Sequence, residues 1–289
     1  MNMPPDEPKR PALRYYGGKW RLAEWIISHF PPHKNYVEPC GGAASVLLQK
    51  PRSPLETYND LDGNVVNFFR VLRDRPEELI YKLKLTPWAR DEAFLPLRFD
   101  GIDSIEWARR FWVKSWMIIG DLGKSGESFR VSNKISSQPS DIMRGIPYLW
   151  YWVDRMQGVQ IESCDAIKLI GRNNSPETLF YFDPPYVKET RSHKVEYAVE
   201  VDNEFHVAAA DAVRGTSGYA IVSGYACPLY TELYEAHGWH RVDKEAQTNS
   251  GGKRIESLWL SPRTWAALHQ DVSDLPLFGS REQVKLFCD

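Results

Sequence analysis

The chain has few cysteines and no long apolar segment. The four cysteines among its 289 residues show neither a Cys-x-x-Cys pair nor a Cys/His metal spacing, which predicts free thiols and a reducing compartment. They are Cys40, Cys164, Cys227 and Cys288. No run of roughly 18 apolar residues could span a membrane, and the polar segment 1–10 is not a signal peptide. We therefore expect a soluble cytoplasmic protein without a membrane attachment.

A strong net charge and the commonest catalytic motifs are also missing. The formal net charge of −2 excludes a generally basic nucleic-acid coat protein, so nucleic-acid binding would need a local basic patch. The segment Gly123-Lys124-Ser125 is similar to the end of a phosphate-binding loop, but Ile118 stands where that loop needs its first glycine. There is no Gly-x-Ser-x-Gly motif, and the seven histidines lack metal-ligand spacing. We predict neither a serine hydrolase nor a metal enzyme.

The chain is rich in core-forming residues, with 43% hydrophobic residues, 11 tryptophans and 14 tyrosines. Alternating strand and helix patterns cover residues 13–73 and resume at residue 159, with a long and mostly helical stretch between them. This order predicts an α/β sheet formed by 1–73 and 159–289, with 74–158 as an inserted domain. Near the end, residues 239–247 and 253–260 are predicted to form a hairpin.

An apolar segment that ends in two prolines is the most informative feature. Residues 177–182 are aromatic and β-prone, which predicts a buried strand, and Pro184 and Pro185 lack backbone N–H groups, so that strand must end at Asp183. A carboxylate, a proline carbonyl and the Tyr186 ring would then lie at the carboxyl end of a strand, where open α/β sheets bind ligands. Two acceptors beside an aromatic face suit a flat heterocycle with an exocyclic amine. The alternative is a turn that merely ends a strand.

Two glycine-containing segments lie near the start of the chain. Tyr15-Tyr16-Gly17-Gly18-Lys19 precedes a helical pattern over 20–30, so its backbone could approach a ligand closely while Lys19 supplies a cation. In 36–48, a short strand that includes Glu38 leads into Gly41-Gly42 and a helix of small residues. Glycines at that position leave room for a ligand above the first strand.

An acidic residue follows the second predicted strand. Asp60 comes directly after the strand 55–59, at the place where Rossmann-like folds bind ribose hydroxyls. Asp62 competes for that role, but it is better placed to cap a helix over 64–73.

These motifs, in this order, resemble those of the Dam-like N6-adenine DNA methyltransferases of the α-group, in which an insert recognises the target. The segment with Cys40 and Ala44 departs from the family loop, where Phe and Gly are usual. The resemblance implies a Rossmann-like sheet, S-adenosylmethionine as cofactor, double-stranded DNA as partner without an obligatory protein partner, and the cytoplasm of a bacterium or a phage-infected host. It implies cofactor contacts from Tyr15, Lys19, Glu38, Gly42, Asp60, Asp165 and Asp183.

The resemblance also implies how the target base is held. Asp183 and the Pro184 carbonyl would bind the adenine amine, and Tyr186 would stack on the flipped base. For DNA contacts we expect Lys124 and Arg130 in the insert, and Lys188 and Arg191 in the loop after Tyr186. Two alternatives stay open: methylation of RNA adenine, and a DNA-binding module without catalytic activity.

Overall fold

Buried apolar strands form the centre of the computed structural model, which describes residues 8–119, 128–131, 139–191, 199–247 and 253–269. The strands are β1 (Asn35–Glu38), β2 (Leu55–Asn59), β3 (Ile118–Ile119), β4 (Ser128–Phe129), β5 (Gln160–Glu162), β6 (Thr178–Phe182), β7 (Tyr219–Gly224), β8 (His240–Gln247) and β9 (Lys253–Leu260). Seven of them form one sheet in the order β5-β2-β1-β6-β7-β9-β8.

Five neighbouring strands of this sheet are parallel, and β9 runs antiparallel to both β7 and β8. All five residues of β6 are buried, as expected for a central strand covered on both faces. The α/β class and the closing hairpin predicted from the sequence are confirmed. Because the order of the strands reverses between β1 and β6, their carboxyl ends border a crevice suited to ligands.

Helices cover the sheet and form most of the segment between β2 and β5. They are α1 (Ala23–Ile27), α2 (Ser45–Gln49), α3 (Gly63–Asp74), α4 (Pro76–Leu85), α5 (Arg90–Ala93), α6 (Ser104–Met117), α7 (Pro139–Gly145), α8 (Leu149–Met156), α9 (Ala166–Arg172), α10 (Asn203–Arg214), α11 (Pro228–Leu233) and α12 (Pro262–His269), with 3₁₀ turns at Ile146–Tyr148, Lys188–Thr190 and Glu235–His237. The helix expected over 20–30 is shorter than predicted, since only α1 is helical there.

The helical segment packs against the sheet domain. Helix α6 lies along α3, and α8 contacts both α3 and α4. One hydrophobic cluster includes Phe69 of α3, Phe111 of α6 and Trp152 of α8. The boundaries of the insert at 74–158 stay a prediction.

Three of the predicted free thiols lie in the described part of the chain, and Cys40, Cys164 and Cys227 are unpaired. Within the same ranges, no helix is long and apolar enough to cross a membrane, and no group of three or more acidic, histidine or cysteine side chains could hold a metal ion.

Candidate active site at the carboxyl edge of the sheet

A cleft of about 850 Å³, its open mouth included, lies at the carboxyl ends of β1, β2 and β6. Its lining includes Tyr15, Lys19, Glu38, Gly42, Asp60 and Asp183. These six residues come from four separate segments, and the structure brings them together as the sequence predicted. The cleft is concave and lined by several polar groups that converge on it, as small-molecule sites are.

Asp183 is the largely buried carboxylate at the end of β6. Its Oδ2 lies 2.9 Å from Nζ of Lys19, and its side chain is 14% exposed. Its Oδ1 is buried and accepts no hydrogen bond from the described residues. Burial raises the pKa of Asp183, and the Lys19 ammonium opposes that shift. A buried acceptor oxygen without a donor is costly unless a ligand supplies one.

Lys19 is the cation that faces this carboxylate. Its Nζ donates a hydrogen bond to the Gly17 carbonyl at 2.8 Å and lies 4.7 Å from the centre of the Tyr186 ring. Burial alone would lower the pKa of Lys19, but the carboxylates of Asp183 and Glu256 raise it above its ordinary value. The lysine therefore stays charged inside the cleft.

The glycine loop after β1 has no room for larger residues. A Cβ on Gly41 would lie 2.2 Å from the Tyr58 ring, and Gly42 has a φ of +48°. The Tyr58 hydroxyl donates to the Gly42 carbonyl at 2.7 Å. Ala44 has a φ of +53°, in the left-handed region that glycine adopts without steric strain. That is the position where the family pattern has glycine, and here the alanine adopts a backbone conformation that glycine favours.

Asp60 ties the glycine loop to the end of β2. Its Oδ2 accepts from the Gly42 N–H and its Oδ1 from the Asp62 N–H, both at 2.8 Å. Burial raises the pKa of Asp60 to about 6, although these backbone bonds favour the ionised form. The predicted cap is confirmed: Asp62 accepts from the Asn64 N–H at the start of α3, and its other oxygen accepts from the Tyr15 hydroxyl at 3.0 Å.

Asn59 organises the edge of the cleft and was missed from the sequence. Its amide donates to the carbonyls of Pro39 and Cys164, and its oxygen accepts from the Cys164 N–H. The chain segments after β1, β2 and β5 are thereby held together. An amide side chain at the last position of a buried strand, directly before Asp60, is the signal that could have revealed it.

Glu38 is a buried carboxyl on β1, 2% exposed. Its Oε2 accepts a hydrogen bond from the Tyr36 hydroxyl at 3.3 Å. Burial, reinforced by the nearby charge of Asp183, raises the pKa of Glu38 to about 8. With this pKa the Glu38 carboxyl is mostly protonated at neutral pH. A cation bound beside it would lower the pKa and favour the carboxylate.

Asp165 does not join the other predicted cofactor residues. Its exposed side chain caps α9 by accepting from the Lys168 N–H at 2.8 Å, and the neighbouring Ala166 lines the cleft instead. A helix cap and a ligand contact compete for the same carboxylate here.

Tyr186 is buried, 4% exposed, behind Asp183. Its hydroxyl donates to Oε2 of Glu256 at 2.9 Å, and its ring meets that of Tyr225 edge to face. No local sequence pattern indicates Glu256 or Tyr225 as a partner of Tyr186, because they lie 70 and 39 residues further along the chain. Pro184 is buried next to them, as expected for a residue that fixes the strand end.

The predicted DNA contacts are placed very differently from one another. Lys188 is exposed on the 3₁₀ turn directly after Tyr186. Arg130 is partly buried, and its Nε donates to the Trp116 carbonyl at 3.0 Å. Lys124 lies outside the described residues.

The expectation for Arg191 as a surface DNA contact is corrected by the structure. Its guanidinium forms two hydrogen bonds with Glu200, at 2.9 and 2.7 Å, and its side chain is 4% exposed. Breaking a buried, bidentate pair of this kind would leave an uncompensated charge, so Arg191 is committed to Glu200 in this structure.

Comparison with known proteins gives one consistent result. A family model described as D12 class N6 adenine-specific DNA methyltransferase matches residues 15–248. A DNA adenine methylase of Vibrio cholerae is 33% identical over 95 residues, which cover 31% of this chain and 33% of that protein. A Type II methyltransferase of Lactococcus lactis subsp. cremoris is 25% identical over 270 residues, 86% of this chain and 93% of that protein. The match thus spans about a third of the Vibrio protein and nearly all of the lactococcal one.

Proposed function

The chain belongs to the D12 class of N6 adenine-specific DNA methyltransferases, and from this premise we propose that it transfers a methyl group from S-adenosylmethionine to N6 of a flipped adenine in double-stranded DNA. The observation that carries the proposal is the buried Oδ1 of Asp183, an acceptor without a donor among the described residues, on a side chain that lines the cleft. An exocyclic amine supplies the missing N–H.

The residues of the cleft fit S-adenosylmethionine. Asp60 offers a carboxylate near the glycine loop for ribose hydroxyls, and Glu38 offers one for the ammonium of the methionine part. The glycine loop itself leaves space because Gly42 has no side chain. When bound, the cofactor supplies an electrophilic methyl group on a sulfonium.

Asp183 and Pro184 orient the amine. Adenine N6 is a poor nucleophile because its lone pair is delocalised into the ring. Two acceptors, the Asp183 carboxylate and the Pro184 carbonyl, hold its two N–H groups and favour a tetrahedral nitrogen. The Asp183 carboxylate also stabilises the positive charge that develops on this nitrogen and is available to take its proton. Lys19, at 2.9 Å, favours the ionised form of Asp183.

Double-stranded DNA is the proposed substrate, and a base inside a duplex must leave the stack to reach Asp183. Lys188, which is exposed two residues after Tyr186, is a proposed phosphate contact. Target recognition is assigned to the insert 74–158, with Arg130 and Lys124 as its proposed DNA contacts. The alternative RNA substrate has no support from any of the comparisons.

The test is methylation of mixed-sequence duplex DNA with labelled cofactor, followed by sequencing that detects N6-methyladenine. We expect the wild-type chain to label duplex DNA in preference to structured RNA. We expect Asp183→Ala to lower the rate by about 10²–10³-fold or more, because the lost group acts on the amine in the transition state. Calorimetry should show cofactor affinity within a few-fold of wild type. Near-normal turnover of this variant would show that Asp183 is not needed for the reaction. Preferential labelling of RNA would show that RNA, and not duplex DNA, is the substrate.

A further inference from the structure

Strand β9 places two charged side chains against Tyr186 and Tyr225, and the Tyr186 ring lies beside Lys19 of the cleft. Arg254 and Glu256 are two residues apart on β9, so they project from the same face of the strand. The strand pairs with β7 in a register that sets Ser257 opposite Gly224. Residue 256 is thereby brought to the carboxyl end of β7, next to Tyr225 and the cleft.

Each of these two side chains holds one tyrosine hydroxyl. Glu256 accepts from the Tyr186 hydroxyl at 2.9 Å, and Arg254 donates from Nη1 to the Tyr225 hydroxyl at 3.1 Å. The guanidinium carbon of Arg254 also lies 5.3 Å from the centre of the Tyr225 ring. A hydrogen bond to a charged partner is stronger than a neutral one, so both hydroxyls are well anchored.

The two rings form a corner. Their centroids are 4.6 Å apart and their planes meet at 81°. This edge-to-face contact is favourable in itself, and it couples the orientation of one ring to that of the other. A tilt of Tyr186 therefore loses the bond to Glu256 and disturbs Tyr225 as well.

We propose that Arg254 and Glu256 are positioning residues that hold the Tyr186–Tyr225 corner in the orientation that receives the target base. This inference rests on the proposed function, because the base is the substrate part that stacks on Tyr186. Stacking on an aromatic ring stabilises an unstacked base only if the ring is already oriented, since ordering it on binding costs entropy. The hairpin supplies that orientation from outside the Asp-Pro-Pro-Tyr segment.

Glu256 also acts on the charges of the cleft, and the experiment must separate the two effects. Its carboxylate raises the pKa of Lys19. Glu256→Gln keeps an acceptor oxygen for Tyr186 but removes the charge, whereas Glu256→Ala removes both. Tyr186→Phe removes the donor and leaves the charge of Glu256 in place.

A double-mutant cycle tests whether the hydrogen bond between Glu256 and Tyr186 positions the Tyr186 ring. Duplex DNA carries 2-aminopurine at the adenine that sequencing identifies as the target, and its fluorescence on binding reports flipping without turnover. Glu256→Ala and Tyr186→Phe should each weaken the flipping signal and raise KM for DNA by about tenfold, as expected for one charged hydrogen bond. Adding Tyr186→Phe to Glu256→Ala should cause no further loss, and Glu256→Gln should stay within about threefold of wild type.

The matched control is Glu245→Ala on β8, whose exposed carboxylate pairs with Lys253 at 2.7 Å on the same hairpin. It should leave flipping and KM unchanged. Arg254→Ala and Tyr225→Phe form a second cycle, which should show the same coupling.

Additive effects of Glu256→Ala and Tyr186→Phe would overturn the proposal that the Glu256–Tyr186 hydrogen bond positions the ring. A Glu256→Gln variant as impaired as Glu256→Ala would overturn it too. Unchanged flipping in Glu256→Ala would overturn it as well. Failure of the proposed function looks different, because the wild-type chain would then neither methylate nor flip the base. Asp183→Ala separates the two steps, since it should lose methyl transfer while keeping the flipping signal.

Discussion

Glu38 is the residue whose protonation we expect to change when the cofactor binds. Its pKa, raised by burial to about 8, leaves it mostly protonated at pH 7 in the free cleft. The ammonium group of S-adenosylmethionine favours the carboxylate, so binding should release close to one proton at pH 7. Calorimetry in buffers of different ionisation enthalpy measures this release directly.

Glu38→Gln is the control for that measurement, because it keeps the shape of the side chain and cannot ionise. The proton release should disappear in this variant, and a release equal to wild type would assign the proton to another group.

The raised pKa of Glu38 also has a consequence for stability. Since the folded-state pKa lies above the ordinary value of 4.5, the contribution of Glu38 to stability is fully present below pH 4.5 and is lost as pH rises toward 8.

Individual site residues differ in how far the sequence could reveal them. Asp183 and Asp60 could be predicted because each directly follows a predicted strand, and a strand end fixes where its next side chain lies. Glu256 could not, because only the sheet order β7-β9 brings it to Tyr186. Arg191 was expected to contact DNA because no local sequence pattern indicates its pairing with Glu200, nine residues further along the chain.

The glycine loop after β1 is the element whose backbone most limits substitution. Gly41→Ala should destabilise the protein by about 1–3 kcal/mol, because its Cβ would overlap the ring of Tyr58, which is fully buried and cannot swing away. Ala44→Gly should leave the free energy of unfolding within about 1 kcal/mol of wild type. Relief of its left-handed backbone offsets the loss of a buried methyl group. Urea denaturation measures both.

Gly171→Ala in α9 is the matched control, because a Cβ there meets no atom within 4 Å. It should be neutral or slightly stabilising, as alanine favours a helix. A Gly41→Ala variant as stable as Gly171→Ala would show that the loop can move away from Tyr58.

Most element boundaries could be predicted because prolines and capping residues mark them. Helix α1 was overestimated because an amphipathic pattern continues into turns that precede and follow it.

At the scale of the whole molecule, a buried ion cluster joins the helical segment between β2 and β5, the predicted insert, to the sheet. Glu56 on β2 accepts from Nζ of Lys50 at 2.6 Å and from both Nη atoms of Arg155 on α8, at 2.6 and 2.8 Å. All three residues are less than 8% exposed. Burial alone would raise the pKa of Glu56, but the bonds from Arg155 and Lys50 lower it below its ordinary value.

We expect insert and sheet to unfold together, because this cluster and the shared hydrophobic core both cross between them. Glu56→Ala leaves two buried cations without their partner and should lower the free energy of unfolding by about 3–5 kcal/mol, as a single calorimetric transition at lower temperature. Glu177→Ala, which breaks an exposed pair with Lys34, should cost at most about 1 kcal/mol.

Because the pKa of Glu56 is depressed, the contribution of Glu56 to stability is present above pH 4.5 and is lost as pH falls below that value. Two separate transitions in the Glu56→Ala variant would show that the cluster, rather than the core, couples the insert to the sheet, and an unchanged melting temperature would show that the cluster contributes nothing to stability.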